Sequence, residues 1–393
     1  MKIIKTQPLF VCFLLLATFS FTGCRPIRNL KNPPAPWEGS SNFSPKAADH
    51  KAVNKNVFII ADYKMTELFD MLAPFYLFNA TKKANVYIVA EDKTPVLIKR
   101  GLFVRPQLTF KEVDSMKLQA DVIVIPALSK RDEHQDTLLI TWIKAHFTIN
   151  TKMLAICDGA STAAATGLYD GKPLTCHASD YTHLKMHFSK PGWVQNIAVT
   201  KSGNLFSTAG VSNAVEGSLV VIDELFGRET MQKVLKNIHY PNEAIRTEHQ
   251  SIAMNGTSML QIAKKIIFRK NKKIGVLLEN GINEFEMASI LDTYGRTLPA
   301  SFATVNLNSS TIETKYGLTL ICTGGNVIKG LNEIHVLTPG SFSKADTAFF
   351  KNAKQIRYDD LQKEYPIDVC LKRISELYGN KFKNVVKLSL DYN

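Results

Sequence analysis

Beyond Phe21 the chain has no uninterrupted apolar run long enough to cross a bilayer, so no later segment reads as a membrane-spanning helix. Acidic residues are the scarcer sign, 35 against 48 Lys and Arg, for a formal net charge of +13. That imbalance suits an anionic lipid surface or a nucleic acid. The second is excluded as a reading, because there is no helix-turn-helix pattern, zinc-finger spacing or aromatic-basic platform. The basic run FRKNKK at 268–273 reads as a solvated segment before a strand. Cysteine is sparse too, six residues in 393, with no C-x-x-C pair. This excludes a disulfide framework and a zinc knuckle, while a single disulfide among Cys157, Cys176, Cys322 and Cys370 stays open.

What the chain does have begins with a leader. Lys2 and Lys5 precede an apolar stretch from Leu9 to Phe21, then Thr22-Gly23-Cys24, the layout of an export signal. Phe21-Thr22-Gly23-Cys24 resembles the lipobox of a bacterial lipoprotein, with Phe21 where Leu or Val is usual. The resemblance implies cleavage after residue 23, a lipid on Cys24 and a protein held at a membrane of the cell envelope without spanning it. Arg25, not an acid, follows the cysteine and points to the outer membrane. Residues 24–54, rich in Pro, Asn and Ser, read as a tether.

From residue 55 apolar strands alternate with helical periods: NVFIIA (56–61), the helix ELFDMLAPFYLFNAT, NVYIVAE (85–91), ADVIVIPA (120–127), the helix TLLITWIKAHF (137–147) and KMLAIC (152–157). Continuous apolar strands between helices predict a doubly wound, mostly parallel α/β sheet of flavodoxin type, with its ligand site at the carboxyl ends of the strands. There the last run ends in Cys157, followed by Asp158, Gly159 and a small-residue helix. A sharp strand-to-helix turn of this kind displays a nucleophile, and the helix N-terminus can lower a thiol pKa. An inert buried cysteine fits the same pattern.

The elbow Cys157-x-Gly159, the helix end Gly167-Leu168…Gly171, the strand Thr175-x-His177 and the turn Thr208-Ala209-Gly210 together resemble the ThiJ/PfpI family of the class I glutamine-amidotransferase-like superfamily. They are most similar to the sensor half of AraC-type regulators. Gly101 and the Asp70…Pro74 spacing fit the same pattern. The resemblance implies a thiol nucleophile at Cys157, a hydrogen-bonding acid at Asp70 and an imidazole at His177. Asp70 as a solvent-facing helix charge and His177 as a structural histidine remain open alternatives. Around the thiol, Ala127, Asp158, Gly159 and Gly210 are the expected oxyanion or pocket positions. Two departures weaken chemistry: Pro126-Ala127-Leu128 stands where the family has glycines, and Asp158 brings a negative charge beside the sulfur. HASDYTHLKMH (177–187) places His183 and His187 on one helical face and reads as a polar loop, not a metal site.

The remaining chain repeats the first part. FEM at 285–287 answers FDM at 69–71, putting Glu286 opposite Asp70, and ISELYG answers IDELFG. IHVLTPG answers VIVIPA, placing Pro339 opposite Pro126. Between these anchors the second copy is shorter by the stretch holding the elbow and the His177 strand. Cys370 falls opposite Ser218 in a helix and carries no chemistry in this reading. The expected organisation is a family-like domain at 55–240, a connecting segment at 241–270 and a degenerate copy at 271–393 that packs as an internal partner, homodimerisation being the alternative. Expected functions are a cysteine-dependent hydrolase, hydratase or lyase on a small carbonyl, amide or nitrile-like molecule, or else a non-catalytic small-molecule-binding or sensory lipoprotein. A peptidase or chaperone-like factor is a third reading that nothing in the sequence favours. No cofactor, metal or nucleic-acid partner is called for.

Overall fold

The computed structural model describes residues 34–39, 50–99, 101–129, 137–269, 271–322, 330–337, 348–358, 361 and 363–392. The expected signal at 1–23, Cys24, most of the tether and Pro339 lie outside the described residues. Among them, no helix is long and apolar enough to cross a membrane.

The run KNVFII forms β1 (Lys55–Ile60), followed by α1 (Leu68–Ala80) and β2 (Ala84–Ala90). Two short strands, β3 (Val96–Lys99) and β4 (Leu102–Val104), turn at Gly101, whose φ of 75° needs a residue without a side chain. Next come β5 (Leu108–Thr109), α2 (Phe110–Ser115), β6 (Val122–Ile125), α3 (Thr137–His146), β7 (Lys152–Ile156) and α4 (Gly159–Ala165). The first half closes with β8 (Pro173–Leu174), α5 (Tyr181–His187), β9 (Gly192–Trp193), β10 (Val199–Ser202), β11 (Leu205–Thr208), α6 (Ala214–Phe226) and α7 (Arg228–Asn237). Its seven-stranded sheet runs β10-β11-β7-β6-β1-β2-β5, parallel except for the β10–β11 hairpin.

Both faces of this sheet are covered, which is why its strands are apolar without alternation. Val57 and Ile59 pack into a core with α1 and α6, while Phe58 and Ile60 pack into a second core with α3 and α4. The carboxyl ends of β1, β6 and β7 thus meet at one edge, where Cys157 follows β7.

The connecting segment carries α8 (Gly256–Phe268), and then β12 (Lys273–Leu277), α9 (Glu284–Gly295) and β13 (Ser301–Val305) repeat the opening βαβ unit. Two further strands, β14 (Thr311–Glu313) and β15 (Thr319–Cys322), precede β16 (Glu333–Val336), β17 (Lys354–Arg357), α10 (Pro366–Tyr378) and α11 (Asn380–Leu390). A four-stranded parallel sheet of order β13-β12-β16-β17 matches β2-β1-β6-β7. The strand that leads into the elbow of the first half therefore has a counterpart, β17, in the second. KQIR is too short and polar to read as a strand. Tyr358 follows it, its hydroxyl 2.7 Å from His335 Nδ1. Cys370 lies fully buried in α10, as a helix residue.

The two halves share one core and one sheet. Phe285 of α9 lies 5.7 Å from Phe69 and 5.8 Å from Tyr76 of α1, ring centre to ring centre. A separate sheet of order β14-β15-β4-β3 joins β15 antiparallel to β4 of the first half.

Candidate active site

Met153 to Ile156 are fully buried, so β7 fixes its own end rigidly in the core. At Cys157 the chain turns with φ 54°, a left-handed conformation that costs a residue with a side chain roughly 1–2 kcal/mol. The turn is held by Ala160 and Ser161, whose N–H groups donate to the carbonyls of Cys157 (3.3 Å) and Asp158 (3.0 Å). Gly159 is required by contact: a Cβ there would lie 2.0 Å from the Ile125 carbonyl oxygen. The elbow expected from the sequence is present, and its thiol is only 5% exposed.

Asp70 stands in the first turn of α1 and is fully buried. Its N–H donates to Glu67 Oε2 at 2.7 Å, a helix-cap contact, and its Oδ2 accepts from the Ala127 N–H at 3.1 Å. Its Oδ1 has no hydrogen-bond partner among the described residues. Burial first, and the Glu67 carboxylate second, push Asp70 well above the usual carboxylate range. Burial thus favours the protonated form of the side chain. Glu67 is itself pushed up to about 7, by burial and then by Asp292.

The Cys157 thiol is raised well above its ordinary value by burial, and then by the charges of Asp70, Asp158 and Glu67. The Asp158 N–H, hydrogen-bonded to the sulfur, pulls the other way without prevailing. The expectation that the N-terminus of α4 lowers the thiol is thereby overturned. A seven-residue helix cannot offset a dry site ringed by carboxyls. Asp158 occupies the cap position of α4, yet its side chain makes no cap hydrogen bond, so its charge is not spent there.

The remaining expected positions fall elsewhere. Ala127 gives its N–H to Asp70 and its carbonyl to the Glu67 N–H at 2.8 Å, so it locates the acid and is no oxyanion donor. His177 is not on a strand, since β8 ends at Leu174 and Thr175 gives its N–H to the Ser207 hydroxyl. The imidazole Nδ1 accepts from the Ser179 N–H at 3.2 Å, and the ring is hydrogen-bonded to the backbone of Ser389 at the end of α11. Burial lowers its pKa, and the charges that act on it most are those of Asp391, Arg296 and Asp180. The Asp70 charge acts on the Cys157 thiol, while His177 is turned toward the last helix. Gly210 is a seat for Asp391: a Cβ on it would lie 2.0 Å from the Asp391 Cβ. His183 and His187 do share a helical face, with rings 6.0 Å apart.

Sequence reading missed the second half's contribution. Arg296, just past α9, donates from Nε and Nη2 to Asp292 Oδ2 (3.0 and 2.8 Å) and from Nη1 to the Ser389 carbonyl (2.5 Å). Its Nη2 also lies 3.4 Å from Glu67 Oε1, and Lys99 Nζ lies 3.2 Å from Asp292 Oδ1. The C-terminal residues close over this edge: Asp391 accepts at its carbonyl from Ser212 Oγ (3.0 Å), and its Oδ1 lies 3.1 Å from His249 Nε2. Glu67 carried a sequence signal, a cap residue three positions before Asp70. Arg296 and Asp391 carried none, because their role depends on how the halves pack.

A buried acid whose protonated form is favoured, beside a thiol raised by the same burial, suits proton donation followed by nucleophilic addition. It suits less well a reaction that starts from a preformed thiolate.

Residues 55–224 match the family model described as DJ-1/PfpI family. Isonitrile hydratase of Pseudomonas putida is 25% identical over 181 residues, covering 45% of this chain and 75% of that protein. Protein dj-1beta of Drosophila melanogaster is 28% identical over 141 residues, covering 35% of this chain and 73% of that protein. Among solved structures, Drosophila melanogaster DJ-1beta aligns with a TM-score of 0.40 and 22% identity, over 47% of this chain and 96% of its own. A THiJ/PfpI family protein from Pseudomonas syringae aligns with a TM-score of 0.42 and 20% identity, over 55% and 85%.

Proposed function

Residues 55–224 being a DJ-1/PfpI family domain, we propose that the protein is a thiol- and carboxyl-dependent hydratase or hydrolase of small uncharged molecules with a polar multiple bond, such as a nitrile, isonitrile, amide or aldehyde. The observation that carries this reading is Cys157 held at φ 54° in a buried site where Asp70, itself fully buried, acts on its thiol. The similarity to an isonitrile hydratase supports the same class. For an isonitrile R–NC, Asp70 gives its proton to the terminal carbon and the Cys157 sulfur adds to that carbon. The thiol proton returns to the Asp70 carboxylate, leaving R–N=CH–S–Cys. Water then adds, and loss of the thiol releases R–NH–CHO, so one water is consumed and both side chains are regenerated. Burial of the thiol restricts the substrate to something small and argues against a peptidase.

The test is product formation from a panel of small nitriles, isonitriles, amides and aldehydes, followed by proton NMR. Wild-type protein is expected to turn over at least one member, and Cys157→Ser to lose roughly 100-fold or more. No turnover with any member, or equal rates in the two proteins, would leave the second reading, a non-catalytic binding protein. That reading is favoured by the raised thiol.

The second half, on this reading, is an internal partner copy. Support comes from the α1–α9 packing and the strand pairing of β15 with β4. Localisation is a proposal from the leader alone: cleavage before Cys24, a lipid on that cysteine and attachment to the bacterial envelope, at the outer membrane. Labelled palmitate is expected to enter the wild-type protein when it is expressed in a lipoprotein-processing bacterium, and Cys24→Ser is expected to abolish the label. Equal labelling of both would refute the anchor.

A further inference from the structure

A cavity lies away from Cys157, at the opposite ends of the strands. It has a volume of about 560 Å³ and is lined by the start of β2, the 105–107 segment and the turn between β14 and β15. This size is in the range of small-molecule sites. The cavity exists because the halves are joined: the Arg105 N–H donates to the Thr319 carbonyl at 3.0 Å beside the β4–β15 pairing. Its lining holds four cations, Lys51, Lys82, Arg105 and Lys315, against one carboxylate, Glu313.

We infer that this cleft binds a small molecule bearing a phosphate ester or pyrophosphate group, gripped from both halves of the chain. Three features favour that class. The cationic excess calls for more than one negative charge, and a phosphomonoester carries roughly −1.5 to −2 near neutral pH. Arg105 is half-buried and offers the planar fork that suits phosphate oxygens. Lys315 lies over the rings of Tyr76 (5.4 Å) and Tyr316 (5.5 Å), one from each half, which holds a long cationic side chain at the cleft wall. Amide side chains such as Asn54 complete a polar lining suited to a hydroxylated ligand.

The probe is inorganic pyrophosphate, titrated calorimetrically into the full chain at about 0.15 M salt, where non-specific surface attraction is screened. Saturable binding is expected, at least ten-fold weaker in a Lys82→Gln/Lys315→Gln double variant. Both side chains are exposed, so the variant should fold, and far-UV circular dichroism confirms it. Absence of saturable binding up to about 10 mM would overturn the proposal, as would equal affinity in the double variant. Citrate binding more tightly than pyrophosphate would overturn the phosphate assignment.

Discussion

Asp70→Asn is expected to lower turnover by about 100-fold or more while making the protein more stable at neutral pH. The amide keeps the acceptor oxygen that receives the Ala127 N–H, so the elbow and α1 stay in place. It cannot release a proton to substrate, so the step that starts the reaction is lost. The gain in stability follows from linkage. The folded-state pKa of Asp70 is raised above its ordinary 3.8, chiefly by burial. A raised carboxyl contributes its stability below the unfolded value and loses it as pH rises toward the folded value. Above the unfolded value, the raised Asp70 takes stability from the wild-type protein that asparagine does not lose. A higher midpoint in urea together with lost turnover marks a residue kept for function. Asparagine with full turnover would show that another group supplies the proton. For the same reason turnover should fall on the alkaline side as Asp70 ionises.

Replacing Arg296 by methionine should cost about 3 kcal/mol of unfolding free energy, because one partner of a largely buried ion cluster is removed and its acids are left behind. Asp292, 4% exposed in its side chain, would lose the guanidinium and keep only Lys99. Glu67, 18% exposed, would lose its cation as well. Burial pulls Asp292 upward, yet Arg296 and then Lys99 hold it below its ordinary 3.8. A depressed acid contributes stability above the unfolded value and loses it as pH falls through the folded one. The Arg296→Met variant should therefore lose most relative to wild type near neutral pH and converge with it in acid. Denaturant unfolding at pH 7 and pH 3 checks both points. A neutral-pH cost below about 1 kcal/mol would mean that the cluster is solvated and weak.

The parts of this architecture that were legible in sequence are local. Apolar runs such as NVFII report strands buried on both faces, and Cys157-Asp158-Gly159 reports a turn with a glycine three residues after β7, where no Cβ fits. Asp70 was singled out by the family resemblance, four residues before Pro74, and Glu67 was passed over. What was not legible depends on chain segments far apart in sequence. Arg296 meets Glu67 across the α1–α9 interface, and Asp391 reaches Gly210 only once α11 has folded back over the first half. The same geometry reversed the expected direction of the thiol pKa. A helix N-terminus can be read from residues, whereas dehydration by the second half and three converging carboxyls cannot. His177 was misread as a strand residue because Thr175 bonds to the Ser207 hydroxyl of β11 and not to its backbone.

The coupling of Cys157 to Asp70 is tested most directly by the pH dependence of Cys157 alkylation, read by peptide mass spectrometry in the wild-type protein and in Asp70→Asn. Wild-type reactivity should reach half-maximum well above the free-thiol value of about 8.5, and the profile should move to lower pH in the variant, where the carboxylate charge is gone. Half-maximal alkylation at or below about 8.5 in the wild-type protein would contradict a resting thiol. A profile unmoved by Asp70→Asn would contradict the pairing itself.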